Sequence, residues 1–334
     1  MEEKFMKKIL VLLLGLVLMM ALAGCGNDAP AADTGGGEDR SDQLFIQVSA
    51  LSNLDYFYDH MLGMRMVGEE LGVQTDYVGP ADLDMTAMIA AFDQAIARQP
   101  NGIVVVGFDD ALNPSVARAI EEGIPVVTVD ADLPDSKRLA FVGTGNVNAG
   151  RMGGEFIADL IGGSGQVAIL TVPGQSNLEE RTQGYKEVFE NFPGIEVVQI
   201  ADVRGDPIIA AQAATGILQQ FPDLAAIICV EAAGGSGAAT AVVEAGLVGQ
   251  VKIIAMDRGN DVLAMIEEGV ITASVAQQTA LMPYYAVQIL YNLTNSNVEI
   301  STDNAAAGVL GIPAMVDTGV IIITVDNARY FVRD

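Results

Sequence analysis

Short apolar runs alternate with longer amphipathic segments from Leu44 almost to the end of the chain. Continuous apolar runs such as 102–107 are typical of parallel strands that are covered on both faces. Strands that alternate with helices of about 10–15 residues predict βαβ units and parallel sheets. One series of strands and helices ends near residue 148, and a second begins with a helix predicted over 151–161. The pattern therefore predicts an α/β fold with two similar halves, each a doubly wound parallel sheet.

The first residues have a different pattern. Basic residues precede a short apolar run at 9–23, which ends in small residues and then Cys25. The run is shorter than the ~20 residues of a membrane-spanning helix, and its composition is typical of a secretory signal. With its terminal cysteine it resembles a bacterial lipoprotein signal, which implies that Cys25 is acylated and that the chain is cut before it. An ordinary signal peptide or anchor with an incidental cysteine is the alternative.

The segment after Cys25 is rich in Gly, Ala, Asp and Pro and has no apolar periodicity. Such a composition cannot bury enough apolar surface to offset its ordering entropy. We therefore interpret residues 1–24 as the signal peptide and 25–43 as a flexible tether. The tether would connect a lipid-anchored, extracytoplasmic protein to a folded body that begins near residue 44.

Charge and composition exclude several kinds of site. The formal net charge is -26, which opposes binding to the phosphates of nucleic acids. The two cysteines leave no disulfide framework and no Cys/His metal spacing, so neither a metal nor a cofactor is expected. Cys229 lies in an apolar run and is expected to be a buried thiol. His60 is the only histidine, and we expect it on the surface or in a groove rather than in a catalytic triad.

Polar and aromatic residues follow several of the predicted strands. Ligands of α/β sheets lie beyond the carboxyl ends of the strands, and a ring of sugar hydroxyls needs carboxylate acceptors, Arg and Gln donors, and an aromatic face. Any one of these residues could instead cap a helix, but the whole set at one edge predicts a carbohydrate site. The candidates are Tyr56, Phe57, Asp130, Arg181, Glu231, Asp257, Arg258 and Gln277.

Four segments carry a family resemblance: 123–130, 181–185, 253–257 and 273–277. With them the chain resembles the type I periplasmic binding proteins, the group of ribose- and galactose-binding proteins of sugar ABC transporters. The resemblance implies two Rossmann-like lobes joined by a three-segment hinge, with crossings near 146–148, 277–281 and 314–318. It also implies lobe 1 at 44–147 plus 278–314, and lobe 2 at 148–277 plus 315–334. The residues that it implies as sugar contacts are Tyr56, Phe57, Asp130, Arg181, Asp257 and Gln277.

The chain departs from the ribose-binding pattern at three points. Ala131 stands where an Arg is usual, a donor that Arg258 would replace, and Glu231 stands where relatives often have Asn. The loop 50–55 is one residue longer than in that pattern. The calcium loop of galactose-binding relatives is absent. These departures count against ribose as the ligand, but they do not change the expectation that the ligand is a sugar.

The sequence therefore predicts a monomeric, lipid-anchored, extracytoplasmic solute-binding protein. It would capture a monosaccharide in the cleft between its lobes and deliver it to an ABC permease. A non-sugar polyol or a quorum-signal furanone is the alternative ligand. A sugar-responsive regulator is less favoured because it needs a DNA-binding segment and a basic face. An enzyme is also less favoured, because the glycines of 143–150 do not match a dinucleotide fingerprint.

Overall fold

The computed structural model describes residues 40–53, 55–296 and 298–333. The predicted signal peptide at 1–24, the lipidation site Cys25 and the tether up to residue 39 lie outside the described residues. They stay predictions from the sequence.

Six of the strands in the described residues form a first sheet in which all strands are parallel. Its strands, numbered in chain order, are β1 (Leu44–Val48), β2 (Gln74–Val78), β3 (Gly102–Val106), β4 (Val126–Val129), β5 (Ala140–Gly143) and β11 (Met315–Asp317). They are arranged in the order β11-β5-β4-β3-β1-β2. The predicted apolar strands thus occupy the centre of the sheet, where β-branched side chains pack well.

Another six strands of the described chain form a second sheet. They are β6 (Ser164–Thr171), β7 (Gly194–Asp202), β8 (Leu224–Cys229), β9 (Lys252–Met256), β10 (Ala273–Gln277) and β12 (Val320–Ile323). The order β12-β10-β9-β8-β6-β7 repeats the order of the first sheet strand for strand. The edge strand differs, because β12 is antiparallel to β10.

Helices connect most of the successive strands, as the crossovers of a parallel sheet require. They are α1 (Asp55–Leu71), α2 (Met85–Ala97), α3 (Asn113–Glu121), α4 (Asn146–Leu160), α5 (Ser176–Phe189), α6 (Pro207–Gln220), α7 (Gly234–Glu244), α8 (Asn260–Glu267), α9 (Leu281–Asn295) and α10 (Asn304–Ala307). Asp206 caps α6 by accepting hydrogen bonds from the backbone N–H groups of Ile208 and Ile209. Among the described helices, none is long and apolar enough to cross a membrane.

The second sheet is covered on both faces. Ile227 and Cys229 of β8 belong to one apolar cluster, while Ala226 and Ile228 belong to another. Neighbouring residues of a strand point to opposite faces, so each cluster fills one side of the sheet. The prediction of a doubly wound α/β fold is confirmed, and Cys229 is the buried thiol that the apolar run predicted.

Helix α4 begins at Asn146, five residues before the predicted start at Arg151. Glycine lowers helix propensity, but Gly150 of this segment permits close packing of α4 against α5. A Cβ on Gly150 would lie 2.0 Å from the Arg181 carbonyl oxygen, and one on Gly184 would lie 2.1 Å from the Val147 carbonyl oxygen. The glycines therefore let the backbones of α4 and α5 touch.

Two further predictions are corrected by the structure. Residues 315–317 were assigned to the second lobe, but β11 pairs with β5 in the first sheet, so the chain passes to the second sheet between residues 317 and 320. A three-residue strand is too short to show alternation in the sequence. His60 was expected on the surface or in a groove, yet it is fully buried, with Nδ1 2.7 Å from Gln47 Nε2.

Candidate functional site

Two aspartates occupy the same place in the two sheets. Asp130 follows β4 and Asp257 follows β9. Each of these strands is third in the spatial order of its sheet, counted from β11 or β12. Both residues have a φ of 65°, a left-handed conformation that aspartate adopts more readily than most residues. Each backbone N–H donates to the next strand, from Asp130 to the Val142 oxygen and from Asp257 to the Val275 oxygen. The two strand ends are built alike, and each presents a carboxylate.

An aromatic hydroxyl lies against the first of these carboxylates. Tyr56, the second residue of α1, donates its hydroxyl to Asp130 Oδ1 over 2.6 Å. The adjacent Phe57 is 2% exposed and packs in the core of the first sheet. Its ring meets that of Tyr56 edge-on, with centroids 5.1 Å apart. The predicted aromatic pair therefore divides: Tyr56 contacts Asp130, and Phe57 supports it from the core.

The second half contributes a buried guanidinium. Arg181 lies on α5 and is 5% exposed. Its Nε donates to Asn146 Oδ1 and its Nη1 donates to the Val230 carbonyl oxygen, both over 3.0 Å. These bonds fix the guanidinium between α4 and the end of β8. Because Arg has five N–H donors, this leaves further donors for a bound molecule.

Gln277 links the two halves of the site. It is the last residue of β10, where the sequence had placed it just beyond the strand. Its Nε2 donates to Asp257 Oδ1 over 3.1 Å, and its Oε1 accepts from Thr144 Oγ1 over 2.9 Å. Thr144 follows β5 of the first sheet. The pair of bonds therefore joins residues at the strand ends of both sheets.

Glu231 follows β8 and is also buried. Its Oε2 accepts a hydrogen bond from the backbone N–H of Ala233 over 2.8 Å. Its Oε1 has no hydrogen-bond partner among the described residues. A buried oxygen without a donor is costly, so Glu231 offers an acceptor that a ligand's donor would satisfy.

The carboxylates share one electrostatic environment. Burial raises the pKa of Asp130 to about 6; the Tyr56 hydrogen bond opposes the rise, and the carboxylate of Asp257 adds to it. Burial also raises the pKa of Asp257 and of Glu231, and the Arg181 guanidinium opposes the rise at all three acids. The arrangement places three acids of both sheets around one cation.

Comparison with known proteins identifies the family. The model of the periplasmic binding protein domain matches residues 48–297. The D-allose-binding periplasmic protein of Escherichia coli (strain K12) is 30% identical over 78% of this chain and 87% of its own. The ribose import binding protein RbsB of Bacillus subtilis is 28% identical over 85% of this chain and 92% of its own. The chain belongs to the type I periplasmic binding proteins.

A solved structure agrees with this assignment. AraP, an arabinose-binding protein from Geobacillus stearothermophilus, superposes with a TM-score of 0.83 at 34% identity, covering 87% of this chain and 100% of AraP. Periplasmic binding proteins bind solutes for transport and are not enzymes. The predicted family, the two-sheet fold and the sugar-transport class are thereby confirmed, and the regulator and enzyme hypotheses are set aside.

One predicted site residue has other partners in this binding protein. Arg258 was expected to replace the donor that is missing at Ala131, but its guanidinium pairs with Asp59. Its Nη1 also donates to the Phe331 carbonyl oxygen over 3.1 Å. The structure therefore brings Tyr56, Asp130, Arg181, Asp257, Glu231 and Gln277 together and gives Arg258 a different set of contacts. Contact of the predicted residues with a ligand stays a prediction.

Two residues of the site were not among the sequence candidates. Asn146 accepts from Arg181, and Thr144 donates to Gln277. Both follow β5, so the rule that selected the other strand ends would have selected them as well. The resemblance implied only a crossing at 146–148, and Thr144 was not singled out.

Proposed function

We propose that this binding protein captures a monosaccharide between two lobes, one around each sheet, and passes it to an ABC permease. The observation that supports this most directly is the meeting of Asp130, from the first sheet, with Asp257 and Arg181, from the second. A ligand held by all three would contact both lobes at once. Binding would then stabilise the arrangement in which the lobes are closed.

The chemistry of the cluster suits a neutral ring of hydroxyls. Ionised carboxylates accept hydrogen bonds from hydroxyl donors, and Arg181 and Gln277 donate to hydroxyl oxygens. The Tyr56 ring offers an apolar face for the C–H groups of a sugar. Glu231 Oε1 supplies an additional acceptor. Each hydroxyl around the ring would thus find a partner of the right kind.

We extend the proposal to the three crossings between the sheets. The chain passes between them after β5, after β10 and between β11 and β12. We infer that lobe 1 comprises 44–145, 278–317 and its helices, and that lobe 2 comprises 146–277 and the residues from 320 onward. Three crossings at one edge would act as a hinge, in which a few residues absorb the change in backbone angles.

Lipid anchoring belongs to the same proposal and rests on the sequence alone. Acylated Cys25 and a tether to residue 43 would hold the monomeric protein near its permease and raise its effective concentration there. Growth with a labelled fatty acid should label the wild-type protein and leave a Cys25→Ser variant unlabelled. Label on both proteins, or on neither, would contradict this part of the proposal.

The main experiment is calorimetric titration of the purified protein with a panel of ligands. We expect saturable 1:1 binding of at least one aldose among arabinose, ribose, allose, glucose and galactose. A rise in melting temperature should accompany it, because a ligand that binds only the native state stabilises it. Binding of xylitol or of a furanone diol without any aldose would favour the alternative ligands. No binding across the panel would contradict the proposed function.

A further inference from the structure

A second charged cluster lies beside the candidate sugar site. It is centred on Asp59 of α1, whose side chain is 6% exposed. The carboxylate pairs with the Arg258 guanidinium at Oδ2 and with Arg333 Nη1 at Oδ1 over 2.6 Å. Thr279 Oγ1 donates to Oδ2 over 2.8 Å. Asp59 thus has a charged or hydroxyl partner on both of its oxygens.

The partners of Asp59 come from the other half of the molecule or from a crossing. Helix α1 follows β1 of the first sheet, while Arg258 follows β9 of the second. Thr279 lies in the crossing between β10 and α9, and Arg333 lies beyond β12. By contrast, the ion pair of Asp93 with Arg118 joins helices beside the first sheet only. The Asp59 cluster therefore bridges the two sheets.

Both ends of the bridge adjoin residues of the sugar site. Asp59 is three residues after Tyr56, which places them one turn apart on α1. Arg258 directly follows Asp257. A tie between Asp59 and Arg258 therefore fixes the helix that carries Tyr56 relative to the strand end that carries Asp257.

We propose that Asp59, through Arg258 and Arg333, is a positioning residue that holds the two lobes in the ligand-binding arrangement. The inference rests on the proposed function for its ligand readout. The tie need not touch the sugar: by raising the population of the closed arrangement it lowers the apparent Kd, because that value varies inversely with the binding-competent fraction. It also slows release, since the lobes must separate before the ligand leaves.

The burial of Asp59 makes the loss of one partner more costly than in an exposed ion pair. Exposed pairs contribute little because water screens them, whereas loss of one partner from a desolvated pair leaves the other charge uncompensated. Burial lowers the pKa of Arg258 to about 10, and the neighbouring charge of Arg333 adds to the effect. The carboxylate of Asp59 therefore compensates two cations that would otherwise repel each other.

The first test compares Asp59→Asn with Asp59→Glu and with the control Asp93→Asn. Surface plasmon resonance with the aldose that binds the wild type should give a Kd at least about tenfold higher for Asp59→Asn, mainly through a faster koff. Asp59→Glu keeps the charge and should recover part of the affinity. Asp93→Asn should match the wild type. An unchanged Kd in a folded Asp59→Asn protein would overturn the proposal.

The second test needs no ligand. Small-angle scattering of the unliganded protein should give a larger radius of gyration for Asp59→Asn than for the wild type, with Asp93→Asn unchanged. In a double-mutant cycle, the protein with both Asp59→Asn and Arg258→Gln should have a radius of gyration no larger than that of either single variant, as coupled partners require. Equal radii in all variants would refute the tie. If the wild type binds no sugar, the proposed function is contradicted, but the radii of gyration still test whether Asp59 holds the lobes together.

Discussion

The two sheets have the same strand order but carry different chemistry at matching strand ends. The third strand of each sheet ends in an aspartate with left-handed backbone. The helix that follows the fifth strand in the spatial order differs between the halves. In the first half α1 follows β1 and places Tyr56 against Asp130, and in the second half α5 follows β6 and places Arg181 against the end of β8. The repeated strand order thus fixes the positions at which side chains can enter the candidate site. The helix at the equivalent position in each half determines whether an aromatic hydroxyl or a cation occupies it.

The halves also differ in how their helices pack. In the second half, α4 and α5 touch through Gly150 and Gly184, which would not tolerate a Cβ at their present separation. In the first half, α1 also packs closely, since a Cβ on Gly63 would lie 2.1 Å from the Ala280 carbonyl oxygen. It contacts the second half through the buried Asp59 as well. A charged bridge is thus added to close packing on the helix that carries Tyr56, and this difference predicts different consequences for substitutions in each half.

The largest effect is expected from the charged residues of the second half. Arg181→Ala leaves three buried acids without their cation, and Asp257→Ala removes the acceptor that Gln277 orients. Each should raise the Kd for sugar by more than about a hundredfold, measured by calorimetry. Glu187→Gln, in the exposed ion pair with Arg151, is the matched control and should bind normally. Unaltered affinity in both folded variants would remove these residues from the site.

The next largest effect is expected from substitutions that disturb helix packing in the second half. Gly184→Ala forces a Cβ toward the Val147 carbonyl and should lower the free energy of unfolding by about 1–3 kcal/mol. Gly216→Ala, on α6, has open space around its Cβ and should raise it by up to about 1 kcal/mol. Urea denaturation of the two variants measures the difference. Equal stability of the two would mean that α4 and α5 can separate at no cost.

The buried histidine of the first half gives a smaller, pH-dependent effect. Burial lowers the pKa of His60 to about 3, so between pH 7.5 and 5.5 only the unfolded chain takes up its proton. Stability therefore falls as the pH falls, by about 1.4 kcal/mol over that range for an unfolded pKa near 6.5. Denaturation at both pH values should show this decrease in the wild type relative to His60→Gln. Equal slopes for the two proteins would show that His60 titrates alike in both states.

The smallest effect is expected at the aromatic pair. Tyr56→Phe removes the hydrogen bond to Asp130 and should raise the sugar Kd by about fivefold, which corresponds to roughly 1 kcal/mol. Phe57→Leu should instead lower thermal stability and leave the Kd near the wild-type value, since Phe57 lies in the core. Titration and melting of both variants test the division. A larger loss of affinity in Phe57→Leu would reverse the assignment.

The sequence was most informative where a local pattern specifies a local structure. Apolar runs marked the central strands, and residues directly after them formed most of the site. Gln277 and Asp257 were found this way although they come from different strands. A local pattern does not predict structure that tertiary contacts determine. Met315–Asp317 is a strand only because β5 provides its partner, and Gly150, just before the predicted helix start at Arg151, is a packing residue of α4.

The direction in which a side chain points was also not predictable from the sequence. Arg258 follows Asp257 in the sequence, and adjacency suggested a shared role at the sugar site. Successive residues at a strand end point different ways, and the guanidinium meets Asp59, which is distant in the sequence and lies on another element. A pairing of that kind has no local pattern, since Asp59 reads as an ordinary helix residue. Only the folded arrangement reveals it.

The position of β11 and β12 after the other described strands has a consequence for biosynthesis. Each sheet takes one edge strand from residues 315–323. Neither sheet can therefore be completed while these residues are still inside the ribosome. Until they emerge, β5 and β10 expose an open edge with unpaired backbone groups. Both sheets are thus completed in the same late step, once residues 315–323 have emerged.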